Sequence, residues 1–286
     1  LAAYTDQQQL LASTPSPKII IIGGSNAAFG LDGEKIGKET GYHVVNTALQ
    51  AGLGLEFMMK ATKPFVRSGD IVLISPEYEQ FGPAYTGGEW IGMLYVVDPH
   101  SIKYITSLRQ VAKFLGQLLT IMRAEGKELM VLFGSKSDSC TTWVFCRNSF
   151  DTTGNLVGHL DMKPSGVPER ITTFEDPSAA SIEGVTQFSE FTLHRGAKLF
   201  LSFPTLAFAH FDANKKTAEL TRVALARIPG LTLLDKPEDF RYQNELFFDT
   251  EYHMNGVGRE KRTNAVIAEL IENGIVATPT SVRLTR

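Results

Sequence analysis

The chain has 286 residues with 28 Lys and Arg against 31 Asp and Glu, a net charge of −3, and 43% hydrophobic residues. This ordinary globular composition excludes disorder, collagen and coiled coil, and there is enough chain to bury a core without staples. The near-neutral balance argues against a nucleic-acid partner and supplies no polybasic membrane patch.

The first 17 residues form a polar, Gln-rich segment, expected to follow a removed signal or anchor. No apolar stretch approaches the ~20 residues needed to span a bilayer. Lys18–Ile22 is a β-branched run closed by Gly23 and Gly24, which predicts a buried strand and a tight turn. A helix is expected over Leu31–Glu39, stopped by Gly41, then a strand at His43–Asn46 and a helix over Leu55–Phe65. Asp70–Ser75 reads as a third buried strand, Ser101–Arg123 as an amphipathic helix and Lys127–Gly134 as a fourth strand. Uninterrupted apolar strands alternating with helices indicate a parallel sheet covered on both faces.

From Ser135 to about His194 the chain turns polar and aperiodic, which predicts an insertion at about 135–197 with short elements of its own. Regularity returns at a strand Lys198–Phe203, a helix Asn214–Arg227, a short strand Leu231–Leu234 and a final helix Gly258–Glu272. Residues 18–286 are therefore expected to form one domain: a three-layer α/β/α sandwich with a mostly parallel, flavodoxin-like sheet. Cys140 and Cys146 lie six apart, which is no zinc or redox spacing; they would close a small loop in an oxidising compartment and stay thiols in the cytosol.

Open α/β sheets bind ligands at the carboxyl ends of their strands, so the first turn is the natural place to look for chemistry. Here it reads Gly23-Gly24-Ser25-Asn26-Ala27-Ala28-Phe29-Gly30, with neither the G-x-G-x-x-G of a dinucleotide loop nor a phosphate-loop Gly-Lys-Ser/Thr. It presents a serine after two glycines; Ser25 is a nucleophile or the cap of the following helix. A serine needs a base and a group to orient that base. His253 stands one turn from Asp249, a spacing that brings a carboxylate to the imidazole Nδ1. The bland alternative for this pair is helix capping by Asp249 or Asn255 beside a bystander histidine.

Together these segments resemble the SGNH/GDSL hydrolase superfamily over most of the chain. Gly23-Gly24-Ser25-Asn26 stands where that family has its nucleophile turn. Asn46 to Gly52 is similar to its Asn-x-Gly-x-x-Gly block with one extra residue, so Gly52 matches the glycine whose amide binds the oxyanion, with Ala51 as rival. Asp249 and His253 match its last block with one residue more than usual. The third block departs: where the family has Gly-x-Asn-Asp, this chain has Ser75-Pro76-Glu77-Tyr78-Glu79. An ionised glutamate only accepts hydrogen bonds and repels an oxyanion.

The resemblance implies a serine esterase or O-acyltransferase, with Ser25 as nucleophile, His253 as base and Asp249 orienting it. Ser25, Gly52 and Asn26 would supply the oxyanion donors, and no metal or organic cofactor is needed. Glu77 would be protonated or bind a substrate hydroxyl or ammonium. Tyr78, with Phe81, Tyr85 and Trp90, would suit a carbohydrate-like surface or else pack the insertion. Similarity to alginate O-acetylation and teichoic-acid D-alanylation proteins implies a glycan or small-molecule ester substrate and a periplasmic or cell-envelope setting, with the cytoplasm as alternative. The competing expectation is an inactive envelope binding or scaffold domain that kept the fold.

Overall fold

The computed structural model describes residues 3–83, 90–105, 108–117 and 144–276. Strands β1 (Lys18–Gly23) and β3 (Ile71–Ser75) are buried along their whole length, as strands covered on both faces must be. Among the described residues, together with β2 (His43–Asn46), β4 (Lys198–Leu201) and β6 (Leu231–Leu233) they form a five-stranded sheet in the order β2-β1-β3-β4-β6. Every pairing is parallel, with Ile20 level with Val45 on one side and Val72 on the other. This is the flavodoxin-like strand order, and the chain is a three-layer α/β/α sandwich.

The chain runs from β1 to β2 in one direction and then back across β1 to β3 and onward. Right-handed crossovers therefore place its helices on opposite faces. On one side, α2 (Ser25–Gly30) and α3 (Gly33–Thr40) pack against the C-terminal helix Gly256–Glu272. On the other, α4 (Leu55–Thr62) packs on β1 and against the helix Ala179–His194, which lies on β4.

Most expected elements are present with shifted ends. The predicted Leu31–Glu39 helix is α3, capped by Asp32 through Lys35 N, and a further helix not expected from the sequence, α2, precedes it where the chain coils directly after Gly24. Gly41 ends α3 at φ 75°, a left-handed conformation that glycine adopts without a Cβ penalty. Pro64 tightens the end of the expected Leu55–Phe65 helix into a 3₁₀ turn, Lys63–Phe65. Within the expected Ser101–Arg123 helix, Pro99–Tyr104 is a 3₁₀ turn and α6 spans Leu108–Gly116, after α5 at Ile91–Val97. The expected strand Lys127–Gly134 lies outside the described residues, as do Tyr85 and Cys140. Cys146 is not a free thiol.

Two segments are more ordered than their composition suggests. The N-terminal stretch is a helix, α1 (Ala3–Ser13), that buries Ala3, Tyr4, Gln7 and Leu11. The aperiodic region contains α7 (Ala179–His194), capped by Ser178. Its buried face mixes Ser181, Ser189 and Thr192 with Val185 and Phe188, so no clean apolar stripe marks it. This helix belongs to the sandwich as the crossover into β4, which narrows the insertion to the part before it. The helix α8 (Phe208–Leu225) begins six residues earlier than its predicted start, following a two-residue strand β5 (Leu206–Ala207) that pairs with β7 (Arg241–Tyr242). The last helix is α9 (Gly256–Glu272), capped by Asn255 through Gly258 N at 3.0 Å. Among the described residues no helix is long and apolar enough to cross a membrane.

Candidate active site

The order reversal at β1 opens a crevice between the carboxyl ends of β1 and β3, the usual ligand position in such sheets. Ser25 follows β1 and Glu77 follows β3, so the two face each other across it. Ser25 is the first residue of α2 and Gly24 its N-cap, with no side-chain capping bond. Capping therefore does not use the Ser25 hydroxyl. Instead, Ser25 Oγ donates to Glu77 Oε1 at 3.1 Å, and the Asn26 backbone amide donates to the same oxygen at 2.7 Å.

His253 is held by a short antiparallel bridge between Phe247 and Met254, with Phe248 N donating to His253 O at 2.7 Å. The turn inside that bridge is tied by Thr250 Oγ1, which accepts from Tyr252 N and His253 N. This geometry places Asp249 Oδ1 2.6 Å from His253 Nδ1. The imidazole lies flat on Phe29 of α2, with ring centroids 4.0 Å apart and planes 3° from parallel. Asp249 and Phe29 together fix both the edge and the plane of the ring, the orienting role that acid–base catalysis by histidine needs.

Ser25, Gly52, Glu77 and His253 all line one pocket of about 390 Å³. The sequence thus brings nucleophile candidate, histidine and aspartate to one place. No hydrogen bond joins Ser25 to His253 among the described residues, because the serine hydroxyl is given to Glu77. Gly52 sits in the 3₁₀ turn Ala51–Leu53 with Trp90 over it; a Cβ there would come 2.0 Å from Trp90 Cδ1. Gln80 links this turn to Glu77: its Oε1 accepts from Glu77 N at 3.1 Å and its Nε2 donates to Ala51 O at 3.1 Å.

Two expected roles are corrected. Asn26 does not offer its side chain to an oxyanion. It is fully buried, its Nδ2 donates to Ser75 O at 2.9 Å, and its Oδ1 accepts from Thr205 N and from Arg262. Tyr78 does not face the pocket either. It is fully buried between Phe174 and Phe203, at centroid distances of 6.0 and 6.4 Å, where the chain leaves Glu77 and turns into the 3₁₀ turn Tyr78–Phe81. Glu77 does line the pocket, yet it is 2% exposed and its first oxygen is already engaged, so it reaches Ser25 before any substrate hydroxyl. Burial raises its pKa above the ordinary carboxylate value, opposed by the bonds from Asn26 and Ser25.

Three further residues complete the site. Glu79 lines the pocket and accepts from Tyr252 Oη at 2.7 Å; burial pushes its pKa up to about 7. Both were visible as members of the Glu-x-Glu and Asp-x-x-x-His segments without a role. Arg262, fully buried, lies beneath the site. Its Nη2 donates to Ser75 Oγ at 2.6 Å and to Phe203 O at 3.2 Å, and its Nη1 to Asn26 O at 3.2 Å. Burial lowers its pKa to about 10. The available signal was its place four residues before Val266 on the apolar face of α9.

No family model matches this chain, and no curated protein matches it. Among solved structures it is similar to the crystal structure of the YxiM protein of Bacillus subtilis, at 12% identity and a TM-score of 0.40. That alignment covers 92% of this chain and 58% of the other, so the chain spans under two thirds of the length of that relative.

Proposed function

We propose that this chain is a serine esterase or O-acyltransferase of SGNH type, with Ser25 as nucleophile and His253, oriented by Asp249, as an acid–base catalyst. The carrying observation is the convergence of Ser25 and the His253–Asp249 pair, 2.6 Å apart, on one pocket at the carboxyl edge of the sheet. Attack by Ser25 on an acyl carbon would form an acyl-enzyme, and water or an acceptor hydroxyl would release it. The backbone amides of Ser25 and Gly52 are the proposed oxyanion donors. A glycan or other polyol ester in a cell-envelope compartment is the substrate and setting that the family resemblance supports. The reaction as written uses no metal or organic cofactor.

The test is hydrolysis of p-nitrophenyl acetate together with labelling by a fluorophosphonate probe, in the wild type and in Ser25→Ala. Turnover and a label on Ser25, both lost in the variant, are expected; a wild type that neither turns over nor labels sinks the reading. One observation favours the second reading, an inactive binding or scaffold domain: the Ser25 hydroxyl bonds to Glu77 and not to His253.

A further inference from the structure

Glu77 occupies the position where the proposed family carries an oxyanion donor, and as a carboxylate it would oppose catalysis. Its surroundings give it another use. The Glu77 carboxylate is the group that receives the Ser25 hydroxyl, at 3.1 Å and within the reach required of a general base. The Asn26 amide pins the receiving oxygen at 2.7 Å, and Gln80 pins the Glu77 backbone. Gly24 leaves the necessary space, since a Cβ there would lie 2.1 Å from Glu77 Oε2 and 2.5 Å from Oε1. The second oxygen, Oε2, is buried without a hydrogen-bond partner among the described residues, so this carboxylate is not spent on a structural ion pair.

We propose that Glu77 is the proton acceptor of Ser25 in the acylation half of the reaction, and that His253 serves the deacylation half. The inference rests on the acyl-transfer reading above and divides its proton traffic between two bases. In acylation, the Ser25 Oγ–H proton passes to Glu77 Oε1 as the Oγ–acyl carbon bond forms and the carbonyl π pair becomes the oxyanion. When the intermediate collapses, the bond to the leaving oxygen breaks and Glu77 returns the proton to that oxygen. In deacylation, His253 Nε2 takes a proton from water or an acceptor hydroxyl as its oxygen attacks the acyl carbon. Collapse breaks the bond to Ser25 Oγ, and His253 gives Oγ that proton.

The charge balance favours this arrangement in a buried pocket. With Glu77 as base, the single negative charge moves from carboxylate to a neighbouring oxyanion and no new charge is created. The protonated carboxyl then donates hydrogen bonds where the ionised one only accepted them. Burial makes Glu77 a stronger base than an ordinary carboxylate, in the direction proton abstraction requires.

The experiment is stopped-flow hydrolysis of p-nitrophenyl acetate with mass analysis of acetylated Ser25, on the wild type, Glu77→Gln and His253→Ala. Glu77→Gln should slow the acylation burst by about 10²–10⁴-fold. His253→Ala should keep its burst within about tenfold while steady turnover falls by about 10²-fold or more and acetyl-Ser25 accumulates. A Glu77→Gln burst at or above the wild-type rate overturns the proposal. So does loss of the burst in His253→Ala, an arm that leaves Glu77 untouched. A wild type that never acetylates Ser25 instead removes the acyl-transfer reading, and this inference with it.

Discussion

Arg262 Nη2 donates to Ser75 Oγ at 2.6 Å, beneath the strand end that carries Glu77. The same guanidinium reaches Asn26 and Phe203, so one side chain of α9 ties together the ends of β1, β3 and β4. Removing it takes a charged donor from several buried acceptors, and hydrogen bonds to charged groups are worth about 1.5–3 kcal/mol each. Arg262→Ala should therefore lose about 3–5 kcal/mol of stability, read as a lower urea midpoint. Arg262→Lys should recover only part, because an ammonium cannot reproduce the planar fork. A loss below about 1 kcal/mol would contradict this bracing role.

Asp249 holds His253 from a side chain that remains 35% exposed, so its contribution is to orientation more than to folding. Asp249→Asn should lower ester turnover by about 10³–10⁴-fold and leave thermal unfolding nearly unchanged. Turnover within tenfold of wild type would show that the imidazole needs no carboxylate.

Gly24 packs against the Glu77 carboxylate with no room for a methyl group. Gly24→Ala should displace that carboxylate from Ser25 and cost about 1–3 kcal/mol from overpacking. Acetylation of Ser25 should slow along with it, which the stopped-flow burst measures. An unchanged burst would show that the Ser25–Glu77 contact is dispensable.

Tyr78 is buried with its hydroxyl unpaired among the described residues, away from the pocket. Tyr78→Phe should leave turnover and KM unchanged and keep or slightly raise stability, since the lost hydroxyl gives up no bond. A raised KM would restore a substrate role to this residue.

Glu79 titrates near 7 in the folded protein against an ordinary 4.5, because burial disfavours its charged form. The folded state then holds more protons than the unfolded state between those values, so stability falls as pH rises through that window. Urea unfolding across pH 4.5–7.5 should show the decline, of which this carboxyl contributes roughly 3 kcal/mol. Glu79→Gln should flatten its share while Asp235, also raised to about 7, keeps its own. A slope unaffected by Glu79→Gln would exclude Glu79 as its source.

Much of this was legible in the chain itself. Buried strands such as Lys18–Ile22 and Asp70–Ser75 announce themselves because a strand covered on both faces needs an uninterrupted apolar run. The Asp249–His253 pair was readable because both members lie within one turn, where spacing alone sets the distance. The helix Ala179–His194 was not, since it hides serine and threonine in its buried face and breaks the expected period.

What the sequence by itself determined is therefore the alternation of the layers and the local pairs. Only the tertiary structure decided which groups meet across the sheet. Ser25 and Glu77 are 52 residues apart, and Asn26 and Arg262 are 236 apart. No periodicity links such positions; strand order brings them together. That order assigned Asn26 and Tyr78 to the scaffold and brought Glu77 to the serine.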